Sequence, residues 1–388
     1  MPHQPPYSDS PGRLESFRSD VIERVRREGN IWKLPRGELR LPRVFGFCRG
    51  VERALVILAE ALAGHATGGG RVVLLGQIIH NPWVNDYFQR QGVRILSGAE
   101  MDDLESFLRP EDAAVVPAFG VRPDVERRLQ AIGCRRIDTT CGNVRRLWQW
   151  VERAAADGYG VMIFGRTRHD ETIVTRSRLA EAGGRYVIVE SLAHVEAFCR
   201  IVTGTDGGDR DAAFREAFGG PASNAPSLAP FARLAQVSQT TMLYDDTLAV
   251  RDRLRKAFAT AFPADPGPDR LLFEPTVCRA TQNRQSSAVA LCQGGLDLTV
   301  VVGGFESSNT RHLYELAQEF SPAVFIEQAD SILSGERIRT IDPATETPVL
   351  REGWLPGGAN LRIGVLAGAS CPEVVVGQVL ERLAALLG

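Results

Sequence analysis

Lysine is nearly absent from this 388-residue chain: Lys33 and Lys256 are the only two among 45 basic residues. Neither follows a glycine loop of the GxxxxGK[ST] kind, which excludes a P-loop. No GxGxxG follows the first strand pattern and no GxSxG elbow occurs, so dinucleotide-fold and serine-hydrolase readings fall away. The seven cysteines are widely spaced, odd in number and contain no CxxC pair. That argues against a disulfide framework, structural zinc and thioredoxin-type chemistry, and leaves reduced thiols or metal ligands. No apolar run approaches the roughly 18 residues needed to span a bilayer, and the opening MPHQPPYSDSPGR lacks a basic-then-apolar secretory signal. A cytoplasmic protein without membrane contact is expected. With 45 basic against 47 acidic side chains the formal charge is −2. Such a balance attracts neither nucleic acid nor anionic lipid, so any anion site must be local.

What is present fits a folded α/β protein. Hydrophobic residues at 44% and charged residues at 24% exclude disordered, collagenous and coiled-coil classes, and the length predicts two or three domains. Residues 1–40 run from a Pro- and Ser-rich start into RLESFRSDVIERVRREGN, read as an extension with little core. Beyond residue 41 short apolar runs end in small or polar turns and are followed by helical patterns, the alternation of parallel strands and helices. The strand-plus-turn segments are VVLLGQIIHNP, AVVPAFGVRPD, VMIFGRTRHDE, AQVSQTT, LTVVVGGFESSN and RIGVLAGASCPE. In parallel sheets the loops after the strand C-termini form the ligand crevice. Here they hold His80, His169, Glu171, Thr240, Ser307, Ser308, Asn309 and Ser370. Any one such Ser, Thr or Asn is ordinarily a helix cap, but six turns with the same design weaken that reading.

Three cysteines, Cys48, Cys141 and Cys278, each stand just before a helical pattern. Exposed amides and the helix dipole favour a thiolate there, for metal ligation or nucleophilic reactivity. Their spacing suggests three similar α/β lobes converging on a common centre. The expected division is an extension over 1–40 and a first lobe over 41–141, of which 41–48 are free to join the third. A second lobe follows over 142–277 with an inserted loop at 203–230, and a third over 278–388 with one at 334–360. Both loops read as surface segments without chemistry. A [4Fe–4S] cluster on three thiolates leaves one iron open to substrate, whereas the alternative makes all seven cysteines small buried hydrophobes. The histidines, serines and Asn309 are suited to hydrogen-bond an anionic head group, while Glu171 and Thr240 can pass protons. That combination suits reduction of a small phosphorylated substrate.

The stretches GFCRGVERAL, IIHNPWVNDYF, FGVRPDVE, DTTCGNVRRL, RHDET, VSQTTMLYDDT, VCRATQNRQ, GGFESSNTRHLYELA and VLAGASCPE resemble, in order, the 4-hydroxy-3-methylbut-2-enyl diphosphate reductases of the non-mevalonate isoprenoid pathway. The resemblance runs from about residue 41 to 388. It implies a trefoil of three α/β lobes with parallel sheets around a central [4Fe–4S] cluster held by Cys48, Cys141 and Cys278. It further implies a diphosphate held by His80, Ser307, Ser308, Asn309 and Ser370, with His169 beside it. Glu171 would deliver the proton that lets the substrate hydroxyl leave as water, with Thr240 in the relay, and a ferredoxin or flavodoxin would donate electrons. The products would be isopentenyl and dimethylallyl diphosphate.

Several positions depart from the family pattern. Phe119 stands where a diphosphate-contacting histidine is usual, Gly142 replaces a proline, and the usual GHxxHPE reads GRTRHDE, introducing Arg166 and Asp170. The first forty residues and both inserted loops are expected to lack family counterparts. A divergent paralogue acting on another allylic alcohol or phosphorylated substrate, and a non-catalytic iron–sulfur sensor, are the alternative readings. Retention of Glu171 and Thr240 argues against the sensor. Cys134, Cys199 and Cys292 are read as packing residues. Trp148 and Trp150 are read as helix packing, and His3, His65, His194 and His312 as surface or helix residues.

Overall fold

The computed structural model describes residues 14–65, 70–264, 268–342 and 345–388. His3 and part of the 1–40 stretch lie outside the described residues, as do two positions of the 334–360 segment. Three parallel sheets organise the chain. In the first, Val72–Leu74 and Ala113–Val116 are central, flanked by Arg94–Ile95 and Arg135–Asp138. In the second, Gly160–Phe164 and Leu234–Ser238 are central, flanked by Tyr186–Val189 and Leu271–Phe273. Both have the same order: second strand, first strand, third strand, fourth strand in chain sequence.

The third sheet repeats the order with one substitution. Ala323–Ile326, Leu298–Val302 and Leu361–Ala367 occupy the first three places, and the fourth is taken by Gly37–Arg40, parallel to the strand that begins at Leu361. Ile31–Leu34 adds an antiparallel edge to it. The strands before and after the cysteines therefore form a closed cycle, with the beginning of the chain completing the last lobe. Central strands such as Val300, Val301 and Val302 are buried on both faces, as parallel sheets covered by helices require.

The expectation that residues 1–40 contribute little core is corrected. Helix Asp20–Arg27 is mostly charged, yet Ile22 and Val25 are fully buried against Val375, Val379 and Leu383 of the C-terminal helix Glu373–Leu387. A spacing of three places both on one face, and the surrounding arginines obscure that stripe in composition. Phe17 is buried among Phe47, Trp83, Tyr87 and Phe88. Ile22→Ala is expected to lower stability by about 2–5 kcal/mol through lost burial plus a residual cavity, measured as a fall in the unfolding free energy by denaturant titration.

The inserted segments are also more than surface loops. Helix Arg210–Phe218 buries Phe214 and Phe218 against Phe198 and Phe231. In the other, Arg337–Ile341 and Pro348–Glu352 form an antiparallel hairpin, and the buried Trp354 donates its indole N–H to the Ser334 carbonyl at 2.9 Å. Aromatic and β-branched residues within Gly- and Pro-rich stretches supply this core. None of the described helices is long and apolar enough to cross a membrane.

Candidate active site

Each cysteine lies at a crossing between lobes. Cys48 follows Gly37–Arg40, Cys141 follows Arg135–Asp138 and Cys278 follows Leu271–Phe273, so each comes after the fourth strand of one sheet. The helix that starts there packs on the next lobe. Ala54, Leu55 and Leu58 of Arg49–His65 join the first core, Leu147 and Val151 of Gly142–Ala156 the second, and Ala288 and Cys292 of Arg279–Cys292 the third. The cyclic connection thus brings three helix N-termini to one centre.

All three cysteines line one cavity of ≈ 610 Å³. The Sγ of Cys48 accepts the Val51 N–H at 3.5 Å, and that of Cys278 the Thr281 N–H at 3.4 Å. A Cβ built on Gly50 would lie 2.8 Å from the Cys141 Sγ and 3.7 Å from the Cys48 Sγ. Glycine there leaves room between two sulfurs that any other residue would fill. Burial pushes the Cys141 and Cys278 thiols up, and the neighbouring thiolates add to the rise. Ligation to a metal reverses that logic, because a coordinating thiol is deprotonated outright. Among the described residues no three His, Cys, Asp or Glu side chains converge on one shared ion position. Three separated thiols around an open cradle fit a polynuclear group.

Glu171 stands in the first turn of helix Asp170–Glu181 and is buried. Thr240 donates to it twice, from its backbone N–H to Oε1 at 2.6 Å and from its hydroxyl to Oε2 at 2.7 Å. Burial pushes the Glu171 carboxyl up, against those hydrogen bonds. His169 caps the same helix, its Nδ1 accepting the Glu171 N–H at 3.2 Å. That contact assigns the neutral ring's proton to Nε2. Burial, then the nearby His80, holds the His169 imidazole well below its usual range.

Phe119 and Asp170, two of the departures noted above, meet at His80. The rings of His80 and Phe119 stack with centroids 4.6 Å apart and planes 8° from parallel, while the Asp170 carboxylate lies 2.9 Å from His80 Nε2. Burial would raise the Asp170 carboxyl, but its hydrogen bond to His80 and the attached charge hold it down. A face and an edge of His80 are therefore fixed by residues the family pattern does not supply. Arg166, by contrast, turns away from the cavity: it pairs with Glu346 at 3.0 Å and with Glu315 at 3.6 Å. Glu346 belongs to the inserted segment 334–360 and also pairs with Arg311 at 3.1 Å. Gly142 opens its helix on the surface, where a Cβ would meet no atom within 4 Å.

The remaining polar residues form one network. Ser307 caps helix Ser308–Gln318, whose first turn carries no acid. The Ser370 hydroxyl donates to Ser307 Oγ at 3.2 Å and reaches the His80 carbonyl at 3.3 Å; Ser308 Oγ accepts from Thr241 at 3.0 Å. Asn309 Oδ1 accepts the Ala369 N–H at 2.8 Å, which leaves its Nδ2 amide buried with no hydrogen-bond partner. Since Asn309 lines the cavity, an orphaned donor beside a helix N-terminus marks an anion site.

Every candidate residue from the sequence reaches this one cavity. His312, read as a surface or helix residue, lies in helix Ser308–Gln318 and is buried there, with Nδ1 2.8 Å from the Thr241 carbonyl, and burial pushes it down to about 4. Its position four residues after Ser308, on the same helix face, is the available signal. Thr241 and Arg284 also line the cavity; both lie within the matching stretches VSQTTMLYDDT and VCRATQNRQ but are not singled out there. Cys371 is core, outside the cavity, and its thiol is pushed up by burial alone. Cys292 is likewise core.

A family model described as LytB protein matches residues 39–384. The chain belongs to the LytB protein family. Among curated relatives, the 4-hydroxy-3-methylbut-2-enyl diphosphate reductase of Thermosynechococcus vestitus is 36% identical, covering 95% of this chain and 90% of its own. The enzyme of that name from a Synechococcus is also 36% identical, over 97% and 92%. The family model itself begins only at residue 39, as expected of an extension, although these relatives' spans leave too few residues unmatched for all of the first forty to lack counterparts in them. A solved (E)-4-hydroxy-3-methyl-but-2-enyl diphosphate reductase, described as the terminal enzyme of the non-mevalonate pathway, superposes with a TM-score of 0.52 at 25% identity. It covers 89% of this chain and 99% of that one. The E-1-hydroxy-2-methyl-but-2-enyl-4-diphosphate reductase of Plasmodium falciparum shares the fold with a TM-score of 0.63 at 23% identity, over 90% and 88%.

Proposed function

We propose that this LytB-family chain reduces 4-hydroxy-3-methylbut-2-enyl diphosphate to isopentenyl and dimethylallyl diphosphate. The observation that carries the reading is the buried Glu171–Thr240 pair placed in one cavity with three cysteines and the unpartnered Asn309 amide. The reaction breaks one C–O bond and forms one C–H bond, consuming two electrons and two protons and releasing water.

Cys48, Cys141 and Cys278 are the residues that would hold a [4Fe–4S] cluster. When bound, that cluster supplies electrons one at a time and an open metal position. Ser307, Ser308, Asn309 and Ser370 bind the diphosphate at the helix N-terminus, with His80 and His169 beside it. Glu171, whose carboxyl is pushed up by burial, donates its proton toward the departing hydroxyl. The 2.7 Å Thr240 contact lets the threonine hydroxyl pass a proton in turn. Phe119 and the half-buried histidine it covers keep water from one wall. A small acidic electron carrier of the ferredoxin or flavodoxin kind fits the exposed Arg49 and Arg279, which open two of the cysteine helices at the cavity.

Anaerobic turnover by reconstituted protein with a chemical reductant, with products identified by mass, tests the reading. Both five-carbon diphosphates are expected. No turnover by cluster-bearing protein would instead favour a paralogue with another substrate, for which Phe119 and Asp170 are the structural ground. Asn309→Asp keeps the acceptor for Ala369 but replaces the orphaned donor with a carboxylate. The KM for the diphosphate is expected to rise about 10–100-fold, the worth of one hydrogen bond to a charged group, with kcat changing less in steady-state kinetics.

A further inference from the structure

Arg284 is buried, yet every hydrogen bond its guanidinium makes ends on a neutral acceptor. Nε and Nη2 donate to the Gly46 carbonyl at 3.1 and 2.6 Å, Nη2 also to the Phe47 carbonyl at 2.8 Å, and Nη1 to the Ala280 carbonyl at 2.8 Å. Gly46 and Phe47 lead directly into Cys48, and Ala280 is two residues beyond Cys278. A guanidinium does not shed its proton in proteins, and a buried charge without a counter-charge is costly. The groups whose ionised forms would oppose its charge are, in order, Cys48, Cys278 and the exposed Glu52. Two of the three are cysteines of the central cradle, so the charge on this arginine is answered by whatever charge the thiolates carry.

We propose that Arg284 is a positioning residue that staples the Cys48 turn to the Cys278 helix and supplies the fixed positive charge opposing the added electron when the cluster is reduced, raising its reduction potential. The inference rests on the cofactor reading above. Its physical basis is that one electron adds one negative charge, and a cation held in a low-dielectric wall lowers the energy of the reduced form more than that of the oxidised form. Hydrogen bonds to neutral carbonyls hold the guanidinium in place without cancelling its charge.

The test uses the full chain, reconstituted anaerobically with iron and sulfide and titrated with dithionite in the presence of redox mediators, the reduced fraction being read by electron paramagnetic resonance. Thermal melts of each variant before loading report folding. Arg284→Met is expected to lower the reduced-to-oxidised ratio at fixed potential at least tenfold, 59 mV for a one-electron couple. Arg284→Lys, which keeps the charge and loses the fork, is expected to change the ratio less than threefold while losing iron faster to a chelator. If Arg284→Met does not fold, Arg284→Gln makes the same neutral comparison. A cluster-bearing neutral variant with an unchanged ratio, or a lysine variant shifted as far as the neutral one, overturns the inference alone. A wild-type chain that takes up no iron and sulfide overturns the cofactor reading and this inference with it.

Discussion

Glu171→Gln is expected to lower turnover by roughly 10²–10⁴-fold, the usual contribution of a positioned general acid, with the iron and sulfide content of the protein unchanged. Glutamine is isosteric and its side-chain oxygen can still accept one of the two Thr240 hydrogen bonds at 2.6 and 2.7 Å. The helix and the Thr240 turn therefore stay tied by that bond, and the transferable proton is lost together with the second acceptor. The pH profile gives an independent check. Glu171 lies above the ordinary carboxylate range because it is buried, and its acidic form is the proton donor. Turnover in the wild type should accordingly fall as pH rises through that raised value, and this basic limb should disappear from the residual activity of Glu171→Gln. A wild-type profile that falls instead near pH 4, where an unperturbed glutamate titrates at about 4.3, would contradict the assignment of Glu171 as the buried acid.

Cys141→Ala is expected to abolish turnover altogether and to strip the reconstituted protein of most of its iron and sulfide. The reason is geometric as well as chemical. Each of the three lobes sends one cysteine to the centre, and Gly50 keeps open the space between the sulfurs of Cys48 and Cys141. Among the cavity-lining residues the other cysteines are Cys48 and Cys278, so no spare thiol stands by to replace the lost ligand. Iron and sulfide analysis with visible absorbance reads the loss. The unloaded variant should melt close to the unloaded wild type, because Cys141 is only partly buried and packs at the edge of a small cluster with Val144, Trp148 and Val174. Full retention of cluster and turnover by Cys141→Ala would remove this cysteine from the ligand set.

The parts of the site legible in the sequence are those that sit in turns after parallel strands. His80, His169, Thr240, Ser307 and Ser370 all occupy such turns, and a turn shows its chemistry in a handful of adjacent letters. The roles of Arg284 and His312 are not legible, since they come from carbonyls at Gly46, Phe47 and Thr241 that are remote along the chain. Phe119 and Asp170 are visible as departures from the family pattern. Their joint action on His80 is not, because it depends on two loops from different sheets meeting at one ring.

By itself the sequence determined the α/β class, the parallel strands, the three cysteine-led helices and the polar turns, because each is written in local periodicity and in residues a few positions apart. The tertiary structure decided that Gly37–Arg40 completes the third sheet and that Ile22 and Val25 belong to its core. It also decided that the inserted segments carry packed aromatics and that a guanidinium without a carboxylate partner lies between two of the cysteines' backbones. The strand pairing, the buried Ile22 and Val25 and the Arg284 contacts depend on segments hundreds of residues apart, and the aromatic packing on neighbours a few tens of residues away. The longer-range pairing and desolvation energies exist only once the chain has closed its cycle of lobes.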